Sequence, residues 1–292
     1  MPTTLNADFP VVDVALARRL ERAEGLANAE FVDAHALAFS EIGAQWIKVA
    51  GALAMFDGVE SPCTQTFGLG MFDPITDAHM DEIEAFFEER GAKVFHEVCP
   101  LVDISLVEML NARGYRPMEY SSVLYRPIRR GEESDLPDNS SIKARLVNSD
   151  EAKLWTQVVR EGWLDVAPEI GDFLRDFEQI IPHQPNSHKF LAEKDGQPIA
   201  AGALHVSEGV ALLAGACTIP HYRKQGAQRA LLESRFQFAV NHGCDVAMMV
   251  AQPGSGSQRN AERQGFRIAY TRTKWCRPMA AETNAARGSA GG

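Results

Sequence analysis

Residues 210–232 read Val-Ala-Leu-Leu-Ala-Gly-Ala-Cys-Thr-Ile-Pro-His-Tyr-Arg-Lys-Gln-Gly-Ala-Gln-Arg-Ala-Leu-Leu. The first ten are apolar or small almost throughout, as a strand covered on both faces would be. After Pro220 and Gly226, apolar positions at Ala227, Ala230, Leu231 and Phe238 follow helical spacing until Gly243 ends the run. Residues 244–251 are a second short apolar run. The order strand, helix, parallel strand predicts a right-handed crossover unit. Ahead of it, Lys194-Asp195-Gly196-Gln197 joins strand-like runs at 189–193 and 199–206, and Asp-Gly between such runs predicts a hairpin. Ser207-Glu208-Gly209 predicts the next turn. Farther out, the pattern predicts a strand at 142–146, a helix through Trp155, Val158 and Val159 to Gly162-Trp163, and a helix at 173–180. Beyond residue 251 it predicts a short helix at 257–264, stopped by Gly265, and a last strand at 266–275. The fold class is α/β, a mixed sheet flanked by helices.

The plan occurs twice. Residues 67–72 with Asp73-Pro74 align with 214–219 and Pro220; a helix from Asp77 to Arg90, with Met80, Ile83, Phe86 and Phe87 inward, ends at Gly91 as its counterpart ends at Gly243. Residues 92–99 align with 244–251, and Asn111-Ala112-Arg113-Gly114-Tyr115-Arg116 with Glu262-Arg263-Gln264-Gly265-Phe266-Arg267. Two copies of one supersecondary plan account for a chain of 292 residues. Residues 129–141 hold one large apolar side chain among turn formers and charges, the composition of an exposed linker. The expected domains are therefore 1–128 and 142–279, with 280–292 a small, polar, disordered tail. From Pro74 to Gly91 is 17 positions and from Pro220 to Gly243 is 23; the first copy lacks a basic, glycine-containing loop.

Charge is unevenly placed: residues 1–141 hold 11 basic and 24 acidic side chains, residues 142–279 hold 17 and 14. An acidic front half argues against nucleic acid and anionic membrane, while a mildly basic second half suits a small polyanion. No apolar run approaches the roughly 20 residues of a membrane span, and the N-terminus lacks a basic region followed by an apolar core, so the cytoplasm is expected. Cys63, Cys99, Cys217, Cys244 and Cys276 are odd in number and scattered, which argues against a disulfide framework and against a metal site. Cys217, on a strand of small apolar residues, reads as a core thiol rather than a nucleophile. His183 and His188 flank an irregular polar loop without a carboxylate partner, a poor metal site.

The loop 222–229 stands between a buried strand and a helix start. Unpaired backbone N–H groups and the positive dipole end favour a phosphate there, and Arg223, Lys224 and Arg229 add charge suited to a pyrophosphate. On the residues alone a second reading stands beside it: Gly226 as a turn residue and the basic cluster as a solvated helix start.

The stretch Cys217 to Leu232 resembles the coenzyme-A signature of the GNAT acyltransferases, whose pattern is Gln or Arg, two variable residues, Gly, one variable residue, then Gly or Ala. Arg223 and Gly226 match, Gln225 stands where the family often has Gln or Lys, and Gln228 departs at the last small position. The resemblance covers about residues 142–279, including the closing Gly265-Phe266, and makes the chain a tandem GNAT protein with a degenerate N-terminal copy. It implies an N-acetyltransferase using acetyl-coenzyme A as acyl donor, with no metal. Backbone groups of Ala216, Cys217 and Thr218 would pair with the pantetheine arm, and Arg223, Lys224, Gln225, Gly226, Ala227, Gln228 and Arg229 would cradle the pyrophosphate. The strands at 210–219 and 244–251 would splay to admit the thioester, and a backbone N–H of the first would polarise its carbonyl.

Many relatives carry a tyrosine four residues before the closing glycine as acid for the departing thiolate; that position is Ala261. Ser257, Asn260 or an ordered water are substitutes, although Ser257 also reads as a helix N-cap and Asn260 as a surface residue. A base would come from Glu161, Asp165, His205 or Glu208, each of which reads first as a solvated or turn residue, and no base is assigned. Trp163, Phe173 and the loop 183–188 are the expected acceptor contacts. The first copy, with Ile75-Thr76-Asp77, His79, Asp81 and Glu82 at its helix start, would repel a pyrophosphate; it serves packing, closure of the acceptor cleft or regulation. The expected activity is acyl transfer to a small-molecule or peptide amine by a monomer or homodimer. The alternative is a coenzyme-A-binding regulatory or scaffold protein without turnover.

Overall fold

Asp195 and Gly196 both take positive φ, 51° and 77°, so the Asp-Gly pair makes the tight turn its chemistry favours and sets Lys194 opposite Gln197. A computed structural model describes residues 9–129, 141–165, 168 and 171–278. In chain order its elements are α1 (Val14–Ala38), β1 (Gln45–Val49), β2 (Ala52–Phe56), β3 (Gln65–Phe67), α2 (Asp77–Glu88), β4 (Val94–Val98), α3 (Ile104–Ala112) and β5 (Arg116–Pro127). There follow β6 (Ile142–Leu146), α4 (Ala152–Trp163), α5 (Gly171–Arg175), α6 (Phe177–Ile180), β7 (Ser187–Lys194), β8 (Gln197–Ser207), β9 (Val210–Thr218), α7 (Ala227–Asn241), β10 (Val246–Ala251), α8 (Gly256–Arg263) and β11 (Arg267–Arg277). The linker expected at 129–141 lies, but for its end residues, outside the described residues, as does the expected tail at 280–292.

The chain divides into two compact units. One joins Val123–Ala269 to the segment up to Val12; the other joins Asp13–Ser122 to the segment from Tyr270. The division falls inside β5 and inside β11, so each of these strands belongs to both units.

In the unit around residues 123–269 the strand order is β5-β10-β9-β8-β7-β6, antiparallel from β9 to β6 and parallel between β9 and β10. Helix α7 makes the crossover and buries Ala227, Ala230, Leu231, Phe236 and Ala239 against Phe190, Ala200, Leu204 and Ala247. On the opposite face α4 lays Trp155, Val158 and Val159 on Leu191, Ala201 and Cys217. One helix was expected over 173–180; two short ones form instead, and the bend at Asp176 stacks Phe177 on Trp155, ring centroids 6.1 Å apart.

The other unit repeats the parallel crossover: β3 and β4 are parallel with α2 between them, in the order β1-β2-β3-β4-β11. The strand expected at 67–72 stops at Phe67, because Gly68 and Gly70 adopt φ of 76° and 71° and turn the chain. Helix α1 has no counterpart in the sequence reading. Asp13 caps it, accepting from the Leu16 N–H at 2.8 Å, and Leu16, Leu20 and Val32 are buried on it. Part of this half's acidity is interior: Arg272, 2% exposed, reaches Glu97 at 2.9 Å, Glu24 at 2.8 Å and Glu21 at 3.3 Å, while Tyr270 donates to Glu21 at 2.8 Å. Burial raises the pKa of Glu21 and of Glu97 against the pull of that guanidinium.

Candidate functional site

Strands β9 and β10 are ladder partners only over Val210–Leu212 and Val246–Met248, although they run on to Thr218 and Ala251. The cause lies in β9. On its other side β8 pairs Ala201 with Cys217 but Ala203 with Ala214, so three steps of β9 oppose two of β8. Gly215, at φ 60°, takes up the extra residue. The bulge bends β9 and leaves Ala214 and Gly215 exposed and Ala216 half-buried in an otherwise buried strand, while Cys217 and Thr218 return to the interior. Backbone groups freed from β10 are thus presented along Ala214–Thr218, the segment holding the expected Ala216, Cys217 and Thr218. Cys217 itself is a core thiol: its Sγ lies 3.8 Å from the Val158 carbonyl, and burial pushes it up to about 12. Gly162 makes that closeness possible, since a β-carbon there would stand 2.6 Å from the sulfur.

The strand leads through a turn at Pro220–Tyr222 into the basic loop and α7. Gly226 is the N-cap residue, at φ 100°, with no side chain capping the helix. The first-turn N–H groups of a helix have no intrahelical partners, and here they face no cap. No atom lies within 4 Å of where a β-carbon of Gly226 would stand, so this helix start is open to a close-fitting ligand. Lys224, Gln225 and Arg229 are exposed, Arg223 and Gln228 half-buried, and Ala227 is buried. Side chains of this loop are already engaged. Gln228 donates to the Thr218 hydroxyl at 2.9 Å, which turns the large side chain at the family's small position back onto β9. Gln225 accepts from Lys194 of the hairpin at 2.8 Å. Arg223 holds the Asp165 carboxylate through two 2.7 Å bonds, and also donates to the Thr218 and Gly162 carbonyls at 3.1 Å each.

Of the candidate bases, Asp165 alone is brought to this loop, and the guanidinium holds its carboxyl below the ordinary range. Glu208 sits in the turn before β9, at the strand end away from the bulge, and His205 on β8 faces Leu212. Glu161 is exposed and accepts from Gln157 at 2.9 Å. Ser257 and Asn260 lie exposed on α8, and Ala261 is buried. The N-cap of α8 is Ser255, which accepts from the Gln258 N–H at 3.2 Å, so the capping reading of Ser257 is corrected by two residues. His188 lies tilted against Phe238, centroids 4.4 Å apart, while His183 is exposed in a separate turn. Among the described residues no three His, Cys, Asp or Glu are grouped to hold a metal ion, and no helix is long and apolar enough to cross a membrane.

The other unit closes the corresponding place. Thr76 and His79 form a capping box on α2, and Arg113 reaches Asp77, Asp81 and Glu84 at 2.8, 2.8 and 3.0 Å across its first turns. Phe72 packs where a β-carbon of Gly68 would stand, 2.7 Å from its ring, under the guanidinium of Arg22. Its helix start is thus occupied by the chain's own groups. Sequence reasoning did not single out Lys194, Gly162 or Arg235 of α7. The last carried a signal, a charged residue between Leu231 and Ala239 on the buried stripe.

Residues 153–266 match the family model described as acetyltransferase (GNAT) family. No curated protein matches the chain. Among solved structures it is similar to a GCN5-related N-acetyltransferase from Kribbella flavida, with 16% identity and a TM-score of 0.59 over 86% of this chain and 98% of that one. It is also similar to a tandem GNAT protein from the clavulanic acid biosynthesis pathway, with 12% identity and a TM-score of 0.53 over 68% of each chain. At such identities these likenesses speak for fold, and both agree with a doubled mixed α/β plan. Residues 153–266 thus carry a GNAT acetyltransferase domain, and the other unit repeats the parallel strand–helix–strand crossover of that fold.

Proposed function

We propose that the second half of the chain transfers an acyl group, foremost acetyl, from acyl-coenzyme A to an amine by direct attack on the thioester. The observation that carries this reading is the parting of β9 from β10 beyond Leu212 and Met248, followed by the uncapped helix start at Gly226. An extended, amide-bearing arm needs strand-like backbone partners; a pyrophosphate needs N–H groups at an open helix N-terminus. The chain supplies both in consecutive segments. Ala216, Cys217 and Thr218 would pair with the arm through their backbone, and residues 223–229 would hold the pyrophosphate. Within that loop, Gly226, Ala227 and Gln228 contribute backbone N–H groups, Lys224 and Arg229 contribute charge, and Arg223 fixes the loop to β9 and α4. Bound there, acetyl-coenzyme A would supply the acyl group as an activated thioester. A β9 backbone N–H polarises the carbonyl, placement of the amine supplies much of the acceleration, and Ser257 on α8 or solvent protonates the departing thiolate.

The acceptor is an amine on a small molecule or a peptide, met by the elements before the hairpin that carry Trp163 and Phe173. A second reading, coenzyme-A binding without turnover, is favoured by one observation: Ala261 is buried and the nearby hydroxyl and amide of Ser257 and Asn260 are exposed. Calorimetric titration of the whole chain with acetyl-coenzyme A, followed by an amine screen with thiol detection, tests both. One site with micromolar affinity and released thiol supports acyl transfer, binding with no thiol from any amine supports the second reading, and no binding rejects both.

A further inference from the structure

Arg235 is 3% exposed and sits on the buried stripe of α7. A buried charge is costly unless its hydrogen bonds are made, and its usual remedy is a carboxylate. Arg235 has carbonyls instead. Its Nε donates to the Leu231 carbonyl one helical turn back at 3.1 Å, and its Nη1 lies 3.1 Å from the Ala203 carbonyl and 3.4 Å from that of Ala214. Ala203 and Ala214 are the partners at which the β8–β9 register resumes after the bulge. The side chain fits because residue 202 is glycine: a β-carbon there would stand 3.1 Å from the guanidinium carbon. From the α4 side, the Trp155 indole N–H lies 3.4 Å from the Gly202 carbonyl and 3.2 Å from that of Phe190.

We propose that Arg235 is the positioning residue of the acyl-donor site: it pins β8 to β9 beside the bulge and so holds Ala214–Thr218 in the bent course that faces away from β10. The proposal rests on the acyl-transfer reading for its consequence, though not for its mechanics. Desolvation brings the guanidinium down only to about 10, so it stays charged at neutral pH and its bonds to the two strands remain charge-assisted.

Two measurements on Arg235→Met and Arg235→Lys test it in the full-length protein. The first is amide hydrogen exchange without ligand. Arg235→Met is expected to speed exchange at residues 201–203 and 214–217 while leaving 190–192 and 246–248 unchanged. The second compares the dissociation constant of acetyl-coenzyme A with that of 3′-phosphoadenosine 5′-diphosphate, a fragment that reaches only the loop. Losing charge-assisted bonds predicts about tenfold or greater weakening for acetyl-coenzyme A and little change for the fragment. Arg235→Lys keeps the charge but not the fork, and is expected to fall between; if the Met variant does not fold, the same two readouts on the Lys variant decide. Unchanged exchange at 214–217, or equal loss of both ligands, overturns the proposal. If the wild-type protein binds neither ligand, the acyl-transfer reading falls, and the exchange arm still decides whether Arg235 holds the bulge.

Discussion

Arg223 and Asp165 are joined by two hydrogen bonds of 2.7 Å, one from each terminal nitrogen of the guanidinium, so the basic loop is tied to the segment just beyond α4. Its Nε and a second bond from Nη2 go to the Thr218 and Gly162 carbonyls, making Arg223 a clamp between β9, α4 and the loop. Asp165→Ala is therefore expected to weaken acetyl-coenzyme A binding by loosening Arg223. In a double-mutant cycle with Arg223→Ala the two losses should overlap rather than add. A gain in affinity for Asp165→Ala would show instead that Arg223 leaves the carboxylate for the pyrophosphate. The pH dependence has a definite sign. Asp165 is held below its ordinary pKa, so the contact is present above about pH 4 and is lost as pH falls through the depressed value.

Gly226 supplies the second prediction. At φ 100° the backbone lies where an L side chain is strained, while the space outside it is open. Gly226→Ala should thus cost about 1–2 kcal/mol of backbone strain without a clash. Because the residue is exposed and starts α7, the strain is expected to appear chiefly in the loop. Titration should show acetyl-coenzyme A affinity falling by more than the melting temperature suggests. Unchanged affinity would remove the loop from the binding site.

The decisive unit was legible because each signal is local. Asp195-Gly196, the apolar run of β9, and the spacing of Ala227, Ala230 and Leu231 state turn, strand and helix within a few residues. The basic loop was legible as well, and so was the acidic helix start of the other copy. What the sequence hid are long-range relations. The pairing of Arg223 with Asp165 is hidden because the two stand 58 residues apart and nothing near either announces the other. The bulge depends on a register between β8 and β9 that no pattern in either strand displays. Helix α1 escaped because its inward face is built from alanines and Gly25 as much as from Leu16 and Leu20, which blurs the apolar stripe. The turn at Gly68 and Gly70 was missed because alignment with the second copy suggested a full strand where two glycines permit another course.

On α8 the structure separates a cap from a candidate acid. Ser255 holds the Gln258 N–H, so Ser255→Ala should cost about 1 kcal/mol of stability. Ser257, exposed in the first turn, makes no such bond to the helix start. Ser257→Ala is expected to lower turnover with stability and acetyl-coenzyme A affinity unchanged. Thiol release compared at saturating donor checks this, and equal rates would assign the proton to solvent.

His96 gives the last prediction, and it belongs to the first half of the chain. The ring lies fully buried in β4, tilted against Tyr115 with centroids 4.9 Å apart, and neither ring nitrogen has a hydrogen-bond partner among the described residues. Burial penalises the imidazolium and brings the pKa from 6.5 down to about 3. Between those values the unfolded chain binds a proton that the folded chain refuses. Stability is therefore intact above about pH 6.5 and declines as pH falls towards 3. At pH 5 the loss amounts to about 2 kcal/mol from this group alone. His96→Phe keeps a ring against Tyr115 and removes both unsatisfied nitrogens, so it should abolish that component of the acid loss. Unfolding free energies of the two proteins at pH 7 and pH 5 check this. The wild-type decline should exceed that of the variant by about the same amount. Equal declines would mean that the ring finds a partner or a proton in the folded state, and that the interior of this copy is more polar than its packing implies.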